Sequence, residues 1–362
     1  MQHNIRYELY PIAWLYGLGV WVRNKLFDAG ILRSESFSAS VVCVGNLAVG
    51  GTGKTPHTEY LITLLCNTGR QVAVLSRGYR RAGKGYLLAD AETSARLIGD
   101  EPYQMKQKFP DVRVAVDEKR VHGIRRLLQL ANPQVDVILL DDAFQHRYVK
   151  AGLNILLTDY HRMFPFDALL PAGLLREPQS GKKRADIVIV TKCPHDCKPA
   201  DMQLIAGRLA LHPHQKLYFS TFSYGNLTPL MGGQSKALDA LSEDIHILLL
   251  TGIAAPDILQ AELEKYTPYL TLCTFADHHE YTDKELKQIG HLFDEMDGTD
   301  KLIVTTEKDA ARLVNHPALS NQLKSHIYIL PVVVEFLQNQ ANSFNKNIID
   351  YVTANPRNSS LP

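Results

Sequence analysis

Short apolar runs alternate with longer amphipathic stretches along most of this chain. Val41–Val44, Val72–Leu75, Val112–Val116, Val135–Leu140, Asn154–Leu157 and Ile187–Val190 read as buried strands. Helical spacing falls between them, as at Pro102–Lys108 and Lys119–Leu130. This order predicts a parallel sheet covered by helices on both faces. Tyr218–Tyr224 then alternates as a strand with no partner helix. A second alternating set follows: Ile245–Leu250, a helix near Pro256–Tyr266, Leu270–Phe275, a helix near Asp283–Met296, and Leu302–Thr305. Ile327–Val334 reads as one more strand, and a helix over 335–353 closes the pattern before a polar tail, 354–362, expected to be disordered. The two lone strands bracket the second set, so 217–230 and 327–334 are expected to pair as a two-stranded β linker. On this reading 31–216 forms the first domain, 231–326 a smaller α/β domain, and the last helix returns to the first. The expected fold class is α/β, with two α/β/α sandwich domains.

The N-terminal stretch departs from this pattern. Leu9–Val22 is apolar nearly all round and stops at Arg23 and Lys25, and both tryptophans of the chain, Trp14 and Trp21, lie in it. It has neither the basic leading region nor the small-residue cleavage site of a signal peptide. No stretch reaches the ~20 apolar residues that span a bilayer. Residues 1–30 are therefore expected to form a helix at the membrane interface, where Trp and Tyr beside basic residues are at home.

The first strand leads into Ala48-Val49-Gly50-Gly51-Thr52-Gly53-Lys54-Thr55, and the helical pattern resumes after Pro56. Strand, glycine loop and helix make a phosphate-binding loop. Its glycines let backbone N–H groups converge on phosphate oxygens, and the helix N-terminus adds a favourable dipole. Lys54 would reach the β- and γ-phosphates, and the Thr55 hydroxyl would ligate Mg²⁺. The first domain is thus expected to be a P-loop NTPase-like sheet that binds a nucleoside triphosphate. The metal needs an acidic partner at a neighbouring strand end, which Val137–Leu140 delivers as Asp141 and Asp142. Gln145 and His146 follow as available polar contacts.

Composition narrows the partners. The chain has 362 residues, 45% hydrophobic and 21% charged, which suits two globular domains. A net charge of +1 argues against a nucleic-acid-binding surface, and no obligate protein partner is inferred. Five scattered cysteines suggest reduced thiols, and Cys193–Cys197 lacks the second paired set of a metal site. Thr191-Lys192-Cys193-Pro194 is not the Asn-Lys-x-Asp of a guanine reader. Val49 stands where dimerising ATPases carry Lys. Three further clusters stand out: basic Ser76–Arg81, Gly99-Asp100-Glu101-Pro102 at a helix start, and Asp277-His278-His279-Glu280 after a strand.

Taken together, the ordered segments resemble the tetraacyldisaccharide 4′-kinases, the lipid A 4′-kinases of Gram-negative bacteria. The resemblance runs from the N-terminus to about residue 310. It rests on Val44-Gly45-Asn46, Gly50–Pro56, Leu75–Tyr79, Gly99–Pro102, Asp141–His146, Leu175-Arg176-Glu177-Pro178, Phe275–His279 and Thr306-Glu307-Lys308-Asp309. Ala143 is the visible departure, since the family usually has Gly after the paired aspartates. The resemblance implies ATP with Mg²⁺ as donor and the 4′-hydroxyl of a tetraacyldisaccharide 1-phosphate as acceptor. It also implies peripheral attachment to the cytoplasmic face of the bacterial inner membrane. Asp100 with His278 would be the base pair, Lys54 and Arg176 would neutralise charge, and Thr55 with Asp141 or Asp142 would hold the metal. Arg77, Arg120, Gln145 and Glu177 are candidate substrate contacts. The rival reading is a P-loop switch or assembly ATPase with protein partners.

Overall fold

The computed structural model describes residues 5–253, 256–277 and 279–354. The chain divides into two compact units, one of Met1–Glu92, Met105–Phe222 and Val334–Pro362, the other of Thr93–Gln104 and Ser223–Val333. The contiguous first domain read from the sequence, 31–216, is therefore interrupted. Thr93–Gln104 groups with the second unit, where Tyr103 accepts a hydrogen bond from Asn315 Nδ2 at 2.8 Å. A contact so distant in sequence leaves no local trace in the hydrophobic pattern.

The first unit is built on strands β1 (Ser40–Asn46), β2 (Val72–Ser76), β3 (Leu87–Leu88), β4 (Arg113–Val116), β5 (Val137–Asp141), β6 (Leu153–Asp159), β7 (Ile187–Thr191) and β8 (Lys216–Tyr224). β9 (Thr228–Pro229), β10 (His246–Thr251), β11 (Leu270–Thr274), β12 (Lys301–Thr306) and β13 (Ile327–Leu330) make the second sheet, and β14 (Val332–Phe336) returns to the first. The first sheet runs β14-β8-β7-β6-β1-β5-β2-β4-β3, with parallel pairing from β8 through to β4. Every residue of β1, β2, β5 and β7 is buried, as a sheet covered on both faces requires. β1 lies between β5 and β6, both later in the chain, so strand order reverses there. Loops leaving the carboxyl ends of β1 and β5 open at that switch point, where α/β sheets hold ligands.

The segments 217–230 and 327–334 lie beside each other at two sheet edges. β8 and β14 are neighbours at the edge of the first sheet, and β9 pairs antiparallel with β13 at the edge of the second. An isolated two-stranded ribbon is marginal in water, whereas joining a sheet satisfies one further edge of backbone groups. The closing helix, Ala341–Ala354, belongs to the first unit. It buries Phe344, Ile348 and Val352, and Tyr351 donates to the Val41 carbonyl at 3.1 Å. The tail expected to be disordered lies, beyond Ala354, outside the described residues.

The N-terminal helix α1 (Tyr10–Asp28) rests on the first unit through small residues. Ala13 is buried with Ala168 and Ala172, and a Cβ on Gly17 would stand 2.6 Å from Leu169 Cδ1. Its large apolar residues face away: Trp14 is 73% exposed, Leu15 65% and Trp21 52%. Among the described residues no helix is long and apolar enough to cross a membrane.

The second unit has the sheet order β11-β10-β12-β13-β9, parallel except at β9. Thr282 and Glu285 form a capping box that starts the helix Asp283–Glu295, whose Leu286, Ile289 and Phe293 are buried.

Candidate active site

The glycine loop joins β1 to helix α2 (Lys54–Asn67), and its shape is fixed from several sides. Gly50 and Gly53 have φ of +110° and +83°, a region that disfavours side chains. A Cβ on Gly53 would lie 2.5 Å from Phe222, and one on Gly50 would lie 2.8 Å from Arg162 Nη2. Arg162 Nη2 also donates to the Val49 carbonyl at 2.7 Å. Val49 N–H donates to Leu174 O at 2.7 Å, and Ala48 bridges Leu175. Asn46 Nδ2 donates to Thr52 Oγ1 at 2.9 Å, and Thr191 Oγ1 donates to Thr52 O at 2.9 Å. A Cβ on Gly51 would meet nothing within 4 Å, so that turn of the loop is open. First-turn amides of a helix have no intrahelical acceptor, which makes the start of α2 an anion site.

One histidine beneath the loop had no signal in the sequence pattern. His57 is buried, with Nδ1 2.7 Å from Gly53 O and Nε2 3.0 Å from Ser220 Oγ. A carbonyl can only accept, so Nδ1 carries the proton and Nε2 accepts from the serine. Burial pulls the ring's pKa down to about 4, so it is neutral at pH 7.

The two aspartates at the end of β5 have different surroundings. Asp141 is buried and accepts from Thr58 Oγ1 at 3.4 Å and Ser76 Oγ at 3.3 Å. Asp142 is half-buried at φ +46°, with Arg176 Nη1 3.1 Å from each carboxylate oxygen and Lys54 Nζ at 3.8 Å. The left-handed residue of this turn is Asp142, not Ala143, so the departure at 143 carries no backbone strain. Gathered here are Lys54, Asp141, Asp142 and Arg176, with Thr55 half-buried in the first turn of α2. A hydroxyl and two carboxylates are all hard oxygen donors. This set fits Mg²⁺, which takes one or two carboxylates and completes its shell with water and phosphate.

The remaining candidates divide. Arg120 is 2% exposed, donates to Asp117 O at 2.7 Å and lies 3.4 Å from Asp141 O. Burial lowers its pKa to about 10, so it remains a cation beside the acidic pair at neutral pH. Burial also lowers His146 to about 4, with the Arg120 charge acting in the same direction. Gln145 Nε2 donates to Asn46 O at 2.7 Å and Glu177 Oε1 at 3.0 Å, and Arg184 pairs with Glu177 at 2.8 Å. Gln145 and Glu177 thus tie the end of β1, which leads into the loop, to Arg184. Arg77 is exposed. Helix α1 joins this bracing: Tyr16 Oη donates to Arg176 O at 2.7 Å, Arg23 Nη2 to Gln145 O at 2.9 Å, and Asn24 Nδ2 lies 3.4 Å from Glu177 Oε2. Apolar patterning alone gave α1 no such role.

Asp100 begins helix α4 (Asp100–Lys108) and belongs to the second unit, where Arg312 Nη2 donates to its Oδ2. The expected partner His278 lies outside the described residues. Its neighbour His279 stacks on Phe275 and pairs with Glu285 at 3.1 Å, a structural role. Arg312 carried no signal beyond following the Thr306–Asp309 segment.

This switch-point loop, with a lysine, an arginine and two aspartates at its mouth, defines a P-loop protein of the phosphotransferase type. The family model for tetraacyldisaccharide-1-P 4′-kinase matches residues 5–352, and the chain belongs to that family. A tetraacyldisaccharide 4′-kinase of Bacteroides fragilis is 59% identical over 358 residues, covering 98% of this chain and 95% of the relative. One from Bacteroides thetaiotaomicron is 56% identical at the same coverage, and one from Porphyromonas gingivalis is 45% identical over 95% of this chain and 96% of its own. The fold also matches the crystal structure of an "apo" form of LpxK from Aquifex aeolicus in complex with ATP. That match has a TM-score of 0.75 at 28% identity and covers 96% of this chain and 99% of the other.

Proposed function

We propose that this chain transfers the γ-phosphoryl group of ATP to the 4′-hydroxyl of a tetraacyldisaccharide 1-phosphate, a step of lipid A biosynthesis. The observation that carries this reading is the convergence of Lys54, Arg176 and Asp142 at the mouth of the glycine loop. Phosphoryl transfer is mostly positioning and charge neutralisation, which this set supplies. Loop amides and Lys54 would hold the β- and γ-phosphates, and Arg176 would leave Asp142 for the phosphoryl oxygens as charge develops. Thr55 with Asp141 or Asp142 would hold Mg²⁺, which when bound neutralises phosphate charge. Asp100, paired with His278, would accept the proton of the sugar hydroxyl. Arg77 and Arg120 are proposed contacts of the lipid's anionic groups.

The exposed face of α1 supports peripheral attachment at the cytoplasmic face of the inner membrane, because Trp14, Leu15 and Trp21 offer apolar area beside Arg23 and Lys25. Incubation with γ-labelled ATP and lipid acceptor tests the reading. Label should move to the lipid. Label released only as free phosphate, whether or not lipid is present, would instead favour a switch ATPase.

A further inference from the structure

We infer that Arg312 is the positioning residue for Asp100, tying the carboxylate proposed above as the proton acceptor to the buried frame of the second unit. This rests on the reading of Asp100 given under the proposed function.

Helix α9 (Glu307–Leu313) starts at the end of β12, where Thr306 Oγ1 accepts from Asp309 N–H at 3.1 Å and donates to Asp309 Oδ2 at 2.7 Å. Asp309 is wholly buried, and its Oδ2 also accepts from Gly252 N–H at 3.0 Å and Thr251 Oγ1 at 3.3 Å. These bonds leave Oδ1 with no hydrogen bond, and it faces Arg312 Nη1 at 3.7 Å. A buried carboxylate needs charge compensation, so Asp309 holds one side of the Arg312 guanidinium. The same Nη1 donates to the His279 carbonyl at 3.2 Å, and Nη2 donates to Asp100. Burial works against the charge on Arg312, but its contacts with Asp100 and Asp309 outweigh it and raise its pKa.

Neighbouring contacts fix the same register. Lys308 Nζ lies 2.8 Å from Asp277 Oδ1, and Asn315 Nδ2 donates to the buried Tyr103 hydroxyl, one turn along α4 from Asp100. Side chains on and just beyond α9 therefore hold the first turn of α4, Asp277 and the His279 carbonyl. The fork of an arginine, with several donors in fixed directions, suits this bridging, whereas a lysine offers a single point charge.

The test is a kinetic cycle on the full chain with ATP and lipid acceptor. Arg312→Ala is expected to lower kcat by about 10–100-fold with the KM for ATP unchanged. Methylguanidine in the assay should restore much of that loss, since it can occupy the vacated site. In the Asp100→Asn background Arg312→Ala should cost nothing further, and methylguanidine should have no effect. Arg312→Lys, which keeps the charge and protects folding, should fall between wild type and Arg312→Ala. Multiplicative losses in the cycle, or an Arg312→Lys enzyme with wild-type kcat, would overturn the inference. If Asp100→Asn itself leaves kcat intact, the reading of Asp100 as proton acceptor fails instead, and the two failures are distinguishable.

Discussion

Each unit of the molecule holds an aspartate against an arginine, and the two pairs are built differently. In the first unit Asp142 and Arg176 are each 27% exposed at the side chain, on loop positions, with Lys54 as a second cation nearby. In the second unit Asp100 is 23% exposed, but Arg312 is 10% exposed, rises from a helix and is backed by a second carboxylate, Asp309, with no exposure at all. An open pair gains little from its own attraction and can exchange partners when phosphate arrives. A closed pair is costly to break, because separation strands a buried charge. The first arrangement suits groups that must receive a ligand, the second a group whose direction must not change.

The largest loss on breaking the open side is expected at Lys54. Lys54→Ala should reduce kcat by ~10²-fold or more while leaving the thermal transition unchanged, because its ion-pair partner stays partly solvated. Steady-state kinetics alongside a melting curve checks both halves. Arg176→Ala should cost about 10-fold or more, and Arg176→Lys should recover only part, since a lysine lacks the planar fork that can meet two phosphoryl oxygens at once. Replacing Trp14 and Trp21 with Ser should weaken vesicle co-sedimentation by roughly 10-fold while sparing the fold, given ~25 cal/mol per Å² of apolar surface lost from the interface. Unchanged sedimentation would remove the membrane role from α1.

The smallest expected effect is on stability against pH. His57 has its folded pKa held near 4 by burial, below the value near 6.5 of an unfolded chain. Between these values the unfolded state binds more protons. The stabilisation is present in full above the unfolded value and is lost as pH falls towards 4. The melting temperature should therefore drop by a few degrees over that window, and His57→Asn should flatten the slope.

How much of this was readable in the chain depended on distance along it. The strand before Gly50, the glycines themselves and the paired aspartates at the end of β5 are local patterns with a physical cause at each position, and the structure places them together. The same logic gave the alternation of strands and helices. It also gave 217–230 and 327–334 as partners, but that each pairing would extend the edge of a sheet is a tertiary choice with no periodic signature. Nothing near Arg312 announces that its partner lies at Asp100, and nothing in an apolar run announces that Tyr16 and Asn24 would brace Arg176 and Glu177. The loop chemistry was visible, and the side chains that hold it still were not.

The division of labour between nucleotide holding and proton acceptance is tested most directly by calorimetric titration of a non-hydrolysable ATP analogue into the Lys54→Ala and Asp100→Asn proteins. Affinity should fall at least about 10-fold in the first and stay within about twofold of wild type in the second. The Asp100→Asn transfer rate should nonetheless be down ~10²–10⁴-fold. Equal losses of affinity in both variants would contradict the account, since Asp100 would then be a nucleotide contact and the acceptor of the proton would have to be sought elsewhere.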